Sequence, residues 1–336
     1  MSKKSYQHQL LILISIIYLL VGFFTYRDYG IGIEEHFQRS SGFHWLNFIL
    51  ERTNFDSLKI IVKNKILEIN DFTPDLPSLD KANYYGILFD VPTAFFESLF
   101  NVKNPQSYFY FRHLVSFIIF FLSGIFFYKI LLNRFSNIII SFFGTTMYLL
   151  SPKIYGNSFF DNKDLFFLSI LTITFFFYLK YEKEKTIINL FFFALFSAFA
   201  TSSRIFGLMV PITFFILLFF ESIISNNKLK ILKKVIIFLI FFITILYAHW
   251  PYMWTLNISN IFSFFSPFKV YGNFIVFFDG NFYDSNHLPL KYIPKWIFIS
   301  TPLYILLLFF IGYIKYFKRI IFRFSNIKIN SLNNDL

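Results

Sequence analysis

The sequence contains no cysteine, and charged residues are scarce. The absence of cysteine excludes disulfide bonds and thiol chemistry from the protein, although it does not identify the redox compartment. Only 15% of the 336 residues are charged, against about 25% in a typical soluble domain. Hydrophobic residues make up 56% of the chain, and the mean hydropathy is +0.57. This balance disfavours a water-soluble enzyme, a disulfide-stabilised scaffold and a disordered chain, and it is typical of a membrane protein.

Motifs of soluble nucleotide and zinc chemistry are absent as well. The chain has no Walker loop, no G-x-G-x-x-G segment and no Ser-His-Asp arrangement. No two of the six histidines have the H-x-x-x-H spacing of zinc ligands. We also find no internal repeat, Pro- or Ser-rich linker or domain boundary. The prediction is therefore a single membrane-embedded domain over residues 1–336.

Apolar runs separated by short polar breaks predict about eight transmembrane helices. The runs cover residues 10–26, 109–132, 138–150, 165–181, 186–200, 205–220, 235–250 and 296–316. A segment that spans the bilayer must satisfy its own backbone hydrogen bonds, so these runs are predicted to be helical. The first run is not followed by a small-residue cleavage site, which predicts a signal anchor. The fold class is therefore all-α, a polytopic integral membrane protein.

The positions of the basic residues orient the predicted helices. With the N-terminus in the cytoplasm, the inner segments carry the entire net charge of +12, whereas the charges of the outer segments cancel. Membrane topology thus accounts for the basicity, and we expect the lipid bilayer and no nucleic acid as a partner. The expected location is a bacterial plasma (inner) membrane, with both termini cytoplasmic and the larger segments 27–108, 151–164 and 251–295 outside.

Two apolar stretches in the long first outer loop are predicted to be interfacial helices. Residues 84–100 include Asp90, Pro92 and Glu97, which are costly at mid-bilayer, and counting them as a span would invert the later loops. Residues 57–70 alternate apolar and lysine side chains.

The outer segments concentrate residues that can carry chemistry. Asp28, Glu34 and Glu35 follow the first run, where a carboxylate near the lipid headgroups can act as a general base or bind a metal. A solvated acidic turn is the other interpretation. Lys153 and Lys163 are available for a phosphate.

A carboxylate at the start of the fourth run has two alternative roles. Asp164 is expected either to face a cavity shared with the first loop or to belong to a purely structural turn. Asp161 is predicted to cap the helix that Asp164 begins.

Two arginines and an aromatic segment lie at the outer ends of predicted spans. Arg112 and Arg204 are expected to pair with a carboxylate, snorkel to the surface or bind a phosphate through two hydrogen bonds. His249 and Trp250 are predicted to belong to an aromatic belt, with a sugar-stacking role as the alternative.

In their order along the chain, these segments resemble the bacterial GT-C superfamily of membrane glycosyltransferases. They are similar to family 39, the group that includes protein O-mannosyltransferases and the lipid A aminoarabinose transferase. The resemblance rests on the pair Glu34-Glu35 and on the segments YFRH (110–113), SPK (151–153), NKD (162–164), TSSRIFG (201–207), HWPYMW (249–254) and LPLKYIP (288–294).

The resemblance implies an inverting glycosyltransferase that moves a sugar from a polyprenyl-phosphate donor to an unidentified acceptor outside the cytoplasm. It places the general base at Glu34, where the family usually has Asp. The implied catalytic residues are Glu34, Glu35 and Asp164, and Asp164 either binds a divalent metal ion or orients a basic residue. The implied substrate-binding residues are Asp28, Arg112, His113, Lys153, Lys163, Arg204, His249 and Trp250.

Two other functions stay open at the level of sequence. A transporter or flippase of a lipid-linked saccharide would share the architecture, but it would show mid-span charges and inverted repeats. The charges lie instead at the outer ends of the predicted spans, which favours the transferase. A catalytically degenerate partner subunit is the third alternative, since Glu34 replaces the family's Asp.

Overall fold

The structure is a computed structural model that describes residues 3–72, 84–224, 227–255 and 274–333. Most of the described chain is helical, as predicted. It forms two compact units, Met1–Val270 and Tyr271–Leu336.

The first unit is built from helices with short connections. In chain order they are α1 (Lys3–Thr25), α2 (Glu35–Leu50), α3 (Asp56–Phe72), α4 (Asp90–Leu99), α5 (Pro105–Phe135), α6 (Ile138–Leu149), α7 (Pro152–Phe160), α8 (Asp164–Glu184), α9 (Ile187–Ser203), α10 (Met209–Ile224) and α11 (Lys228–His249). The short 3-10 helices Ile205–Leu208 and Pro251–Thr255 precede α10 and follow α11. Connections as short as those between α8 and α9 make neighbouring helices antiparallel.

Short polar side chains begin several of these helices. Asn104, Asn137 and Thr186 each accept a hydrogen bond from a backbone N–H in the first turn of α5, α6 and α9. Such caps satisfy amide groups that have no partner within the helix. The polar breaks between the apolar runs therefore set where these helices start.

The second unit contains a β-hairpin and two helices. Strand β1 (Ile275–Phe278) pairs antiparallel with β2 (Asn281–Asp284) through a turn at Asp279 and Gly280. The hairpin precedes α12 (Tyr292–Ser300) and α13 (Leu303–Asn333). Hydrogen bonds from Lys291 and Lys295 hold the pKa of the Asp279 carboxyl at about 2.

The hairpin is a small β element in an otherwise helical described chain, so the all-α fold class is confirmed. Asp279 and Gly280 both have positive φ, 53° and 82°. Asp-Gly is a strong signal for a two-residue hairpin turn, because both central residues of that turn need positive φ. The signal was present in the sequence, but the flanking strands are too short and too rich in phenylalanine to stand out from an apolar run.

Four helical segments are long and apolar enough to cross a membrane, namely α5, α8, α11 and α10 with its preceding 3-10 helix. Two bent pairs pass the same test together, α6 with α7 at 57° and α12 with α13 at 114°. If each pair is one span, the described residues hold six. Helix α9 and the apolar part of α1, Ser15–Thr25, are shorter. The helices fit a membrane-embedded protein, and about eight spans stays a prediction.

Two predicted segments differ from the structure in detail, and a third, residues 57–70, is helical as predicted. The run 296–316 is interrupted at Thr301 and Pro302, where Thr301 has an extended backbone (ψ 128°), as residues before proline prefer. Residues 57–70 are helical within α3. In the stretch 84–100, only α4 is helical, and residues 84–89 form an irregular segment that reaches the candidate site.

Candidate functional site

Glu35 anchors the loop that joins α1 to α2. Its Oε2 accepts a hydrogen bond from the Gly32 N–H at 2.7 Å and lies 3.1 Å from Nε2 of His113 on α5. The side chains of Glu35 and His113 are both 1% exposed, and neither residue lines the two polar cavities described below. The pair therefore fixes the first turn of α2 against α5.

Glu34 lies beside this anchor but faces the other way. Its side chain is 50% exposed, and it lines a cavity of about 200 Å³ together with Asp161, Asn162 and Asp164. Oε2 of Glu34 lies 3.4 Å from Nζ of Lys163, and it accepts a hydrogen bond of 3.4 Å from Nε2 of Gln38. Glu34 is thus a carboxylate that a ligand in the cavity can reach.

The turn between α7 and α8 forms the opposite wall. Oδ1 of Asp161 accepts a hydrogen bond of 2.9 Å from the backbone N–H of Asp164, so the predicted cap of α8 is present. Burial raises the pKa of the Asp161 carboxyl, and the Asp164 backbone hydrogen bond opposes this rise. Asp164 itself is exposed and forms an ion pair with Arg204.

The segment before α4 is held across the end of α9. Nε1 of Trp250 donates to the Tyr84 carbonyl at 3.1 Å, and the Gly86 N–H donates to the Ser202 carbonyl at 2.8 Å. A Cβ on Gly86 would lie 2.6 Å from Ser202, so this close approach requires glycine. These contacts place the centre of the Tyr85 ring 3.7 Å from Nζ of Lys163.

A second, smaller cavity of about 30 Å³ adjoins these groups. Its lining includes Gln38, Tyr85, Asp90, Asn162 and Lys163. Gln38 and Asn162 also line the larger cavity. The two cavities therefore share the same two amide residues in their lining.

Arg112 is fully buried next to the smaller cavity. It donates to Oδ1 of Asp90 at 2.6 Å and to the Thr93 hydroxyl at 2.7 Å, and its side chain is 0% exposed. Burial raises the pKa of the Asp90 carboxyl, and the charges of Arg112 and Lys163 oppose this rise. Arg112 thus stabilises a buried carboxylate on α4.

An apolar groove of about 440 Å³ runs between α8 and α10, with α5 and α9 behind it. One end is lined by Phe206 and Met209, directly after Arg204 in the chain, and α8 lines it from Phe167 to Tyr178. Eleven residues of α-helix correspond to about 16 Å. The groove therefore extends along α8 from near Asp164, which begins the helix, toward the other end of that helix.

The structure brings together four of the predicted site residues around the larger cavity and its rim, namely Glu34, Lys163, Asp164 and Arg204. The others lie apart. Glu35, Arg112 and His113 are buried in the contacts described above, whereas Asp28 and Lys153 are exposed and form no ion pair within the described chain.

The segment predicted as an aromatic belt is a packing element. Trp250 is 1% exposed and belongs to the core between α9, α10 and α11. His249 contacts the Ser202 hydroxyl at 2.8 Å and the Ile245 carbonyl at 2.5 Å. His249 therefore ties the end of α11 to α9, and Trp250 packs in the core that these helices share.

Sequence reasoning gave no role to four residues that line the cavities, namely Gln38, Tyr85, Asp90 and Asn162. In the sequence, Asp90 only disfavours a span, and Asn162 is only part of the NKD segment. Their one common signal is that polar residues interrupt otherwise apolar stretches.

No group of three or more His, Cys, Asp or Glu side chains is arranged to hold a metal ion within the described residues. Comparison with known proteins adds no relative, since no protein-family model, curated protein or solved structure matches this chain. The chain is a helical protein whose apolar helices fit a membrane.

Proposed function

We propose that this protein is an inverting glycosyltransferase that uses a polyprenyl-phosphate sugar as donor and acts on an extracytoplasmic acceptor. The observation that carries the proposal is the juxtaposition of a reachable carboxylate, two cations and an apolar groove. Glu34 lines the polar cavity, Lys163 and Arg204 lie at its rim, and the groove begins at Phe206. A lipid-linked phosphate needs such a combination of apolar and cationic surface.

The two cations match the leaving group of the proposed reaction. Nζ of Lys163 and the Arg204 guanidinium flank the Tyr85 ring, at 3.7 Å and 5.8 Å from its centre. Arg204 is 20% exposed in its side chain, and its ion-pair partner Asp164 is 60% exposed. A phosphate that approaches from the cavity would share these cations with the two carboxylates. Fixed positive charge of this kind stabilises the charge that develops on a leaving phosphate.

Glu34 has the position of the general base in this reaction. Lys163 and Gln38 both contact Oε2 of Glu34, which orients the carboxylate and leaves Oε1 to accept a proton. The acceptor hydroxyl or amine attacks the anomeric carbon as its proton passes to Glu34. The bond between that carbon and the phosphate oxygen breaks, and polyprenyl phosphate leaves with the electron pair. A single displacement of this kind inverts the anomeric configuration.

Replacing Glu34 by Gln tests the assignment, because Gln keeps the shape and removes the base. Purified wild-type protein should release polyprenyl phosphate from a labelled donor in a panel of hexoses and aminopentoses supplied with acceptor extracts. Glu34→Gln should lower turnover by at least about 100-fold, the usual contribution of a general base, while donor binding is retained.

Glu51→Gln is the matched control, since Glu51 is an exposed carboxylate at the other end of α2. It should keep wild-type turnover. Unchanged release by Glu34→Gln would overturn the assignment of the base.

Transport of a lipid-linked saccharide is the alternative function, and a groove along α8 suits it equally well. A transporter would bind the donor and move it across a proteoliposome membrane without release of polyprenyl phosphate. A degenerate partner subunit would bind the donor and neither move nor cleave it. The same labelled donor therefore separates all three functions.

A further inference from the structure

Asn162 is a buried amide without a hydrogen-bond partner. It lies in the turn between α7 and α8 and is 4% exposed. Neither its Oδ1 nor its Nδ2 has a hydrogen-bond partner in the described part of the chain. Buried side-chain amides nearly always form hydrogen bonds, since an unsatisfied donor or acceptor loses its hydration without compensation. This amide is therefore available to a ligand in the cavities that it lines.

The backbone on both sides of Asn162 is fixed. The Asp161 N–H donates to the Asn157 carbonyl at 2.8 Å, and the Asp161 carbonyl accepts from the Leu165 N–H at 3.2 Å. The Asp161 side chain caps α8 through the Asp164 N–H. These contacts hold Asn162 in place before any ligand arrives.

Asn162 lines both polar cavities, and so does Gln38. Gln38 is 5% exposed. Its Nε2 donates to Glu34, but its Oε1 has no partner within the described residues. Two neutral amides thus offer one free donor group and two free acceptors next to the proposed base. The neighbouring charged groups, Glu34 with Lys163 and Asp164 with Arg204, are already paired with each other.

We infer that Asn162, with Gln38 beside it, binds vicinal hydroxyl groups of the transferred sugar. An amide carries a donor and an acceptor side by side, and two adjacent hydroxyls of a pyranose ring present the matching acceptor and donor. A charged phosphate would be attracted instead to Lys163 and Arg204. The inference rests on the proposed function, because it assigns the sugar end of the same donor to this site.

The site determines which donor is accepted. A pocket built to hydrogen-bond a hydroxyl strongly rejects an analogue that lacks it, because the protein's polar groups then stay unpaired. Donors that are deoxygenated at the position bound by Asn162 should therefore bind more weakly than the parent sugar.

The test compares Asn162→Leu with the wild type in donor binding. Full-length protein in lipid nanodiscs is titrated with a polyprenyl-phosphate hexose and with its 2-, 3- and 4-deoxy analogues. Wild-type protein should bind one or two of the analogues about 10-fold to 100-fold more weakly than the parent. Asn162→Leu should bind the parent as weakly as those analogues, and removing the same hydroxyl should then cost it little more.

Asn157→Leu serves as the matched control, because Asn157 lies in α7 near the same turn and lines neither polar cavity. It should bind all donors as the wild type does. Asn162→Leu removes an unpaired amide, so it should fold and keep the wild-type thermal midpoint. A less drastic variant, Asn162→Ser, retains a hydroxyl and should recover part of the affinity.

Donor binding tests the sugar site and release of polyprenyl phosphate tests the transferase proposal, so either proposal can fail without the other. Equal binding of every donor by wild type and Asn162→Leu would overturn the inference even if the wild type releases polyprenyl phosphate. The hydroxyl-dependent binding pattern without any release would support the sugar site and overturn the transferase proposal. A wild type that binds none of the donors would overturn both.

Discussion

Cationic side chains of the first unit contact carboxylates in pairs that differ in exposure. Four of these pairs are Arg39–Glu97, Arg112–Asp90, Lys163–Glu34 and Arg204–Asp164. The carboxylates of the first two pairs are at most 18% exposed, whereas those of the last two are at least 50% exposed. The buried pairs therefore belong to the framework, and the open pairs can exchange a partner for a ligand.

Arg112→Met tests the structural role of the buried arginine. The substitution leaves the Asp90 carboxylate without its partner, and breaking such a pair typically costs about 3–5 kcal/mol. Burial raises the pKa of the Asp90 carboxyl above its usual range. The loss of stability in Arg112→Met arises only where this carboxyl is charged, so it is present above the folded-state pKa and disappears as the pH falls through that pKa. The thermal midpoint of Arg112→Met should therefore lie well below that of the wild type at pH 8 and approach it as the pH is lowered.

The double variant Arg112→Met/Asp90→Asn is the control for this pH dependence. It has no buried charge at the pair, so its difference from the wild type should vary less with pH than that of Arg112→Met. If the thermal midpoint of Arg112→Met lay below that of the wild type by the same amount at every pH, the buried charge of Asp90 would not be the cause.

Residue identity alone revealed only part of the site. Acidic and basic residues in the outer segments stood out in an apolar sequence, and Glu34, Lys163, Asp164 and Arg204 do meet. Whether an arginine is open or buried depends on which segment packs over it, and for Arg112 that segment is α4. A neutral amide such as Asn162 has no charge to mark it, so its importance emerges only from burial without a partner.

At the scale of elements, the site depends on how closely α2 approaches the start of α4. A Cβ on Gly42 would lie 2.4 Å from the Asp90 carbonyl oxygen, so glycine permits the contact. Arg39 on α2 donates to both carboxylate oxygens of Glu97 on α4, which clamps the two helices together. Because Gln38 and Glu34 belong to the same end of α2, this packing also positions the cavity wall.

Gly42→Ala should disturb this packing. The nearest atoms belong to the Asp90 backbone, which cannot move aside as a flexible side chain would, so we expect a destabilisation of about 1–3 kcal/mol. The thermal midpoint should fall, and donor binding should weaken. Gly30→Ala is the control, since a Cβ on Gly30 meets nothing within 4 Å. Equal midpoints for the two variants would show that the close approach has no consequence.

Helices were the elements that the sequence predicted best. The apolar runs 109–132 and 186–200 predicted α5 and α9 to within a few residues. The bends within α6–α7 and α12–α13 were not predicted. A bent pair has the same composition as a straight span, and its angle depends on tertiary packing. Ser151-Pro152 and Thr301-Pro302 mark both bends, so proline within or beside an apolar run was the available signal.

At the scale of the whole molecule, α8 and α11 have charged or polar groups at both of their ends. Helix α8 begins at the site with Asp164 and ends beside the Glu182–Lys185 pair. Helix α11 begins near the Lys234–Glu221 pair and ends at His249, which contacts α9 beside the site. The antiparallel course that short connections impose thus gathers the candidate site at one end. The excess of lysine at the other end predicts that this other end is cytoplasmic.

The absence of cysteine makes this orientation directly measurable, because any thiol introduced is the only one in the chain. Ile33→Cys and Lys153→Cys place a thiol on exposed positions at the site end, and Lys183→Cys and Lys228→Cys place one at the opposite end. In intact spheroplasts, a membrane-impermeant maleimide should label the first two variants. The last two should react only after the membrane is permeabilised. Ile33 lines the larger cavity together with Asp164, the first residue of α8, and Lys183 lies in the last turn of α8. Opposite accessibility of these two positions would therefore establish that α8 crosses the bilayer. The reverse pattern would put the carboxylates and cations of the site in the cytoplasm, where a donor presented on the outer leaflet could not reach Glu34. The labelling result therefore decides whether the proposed chemistry has access to its substrate.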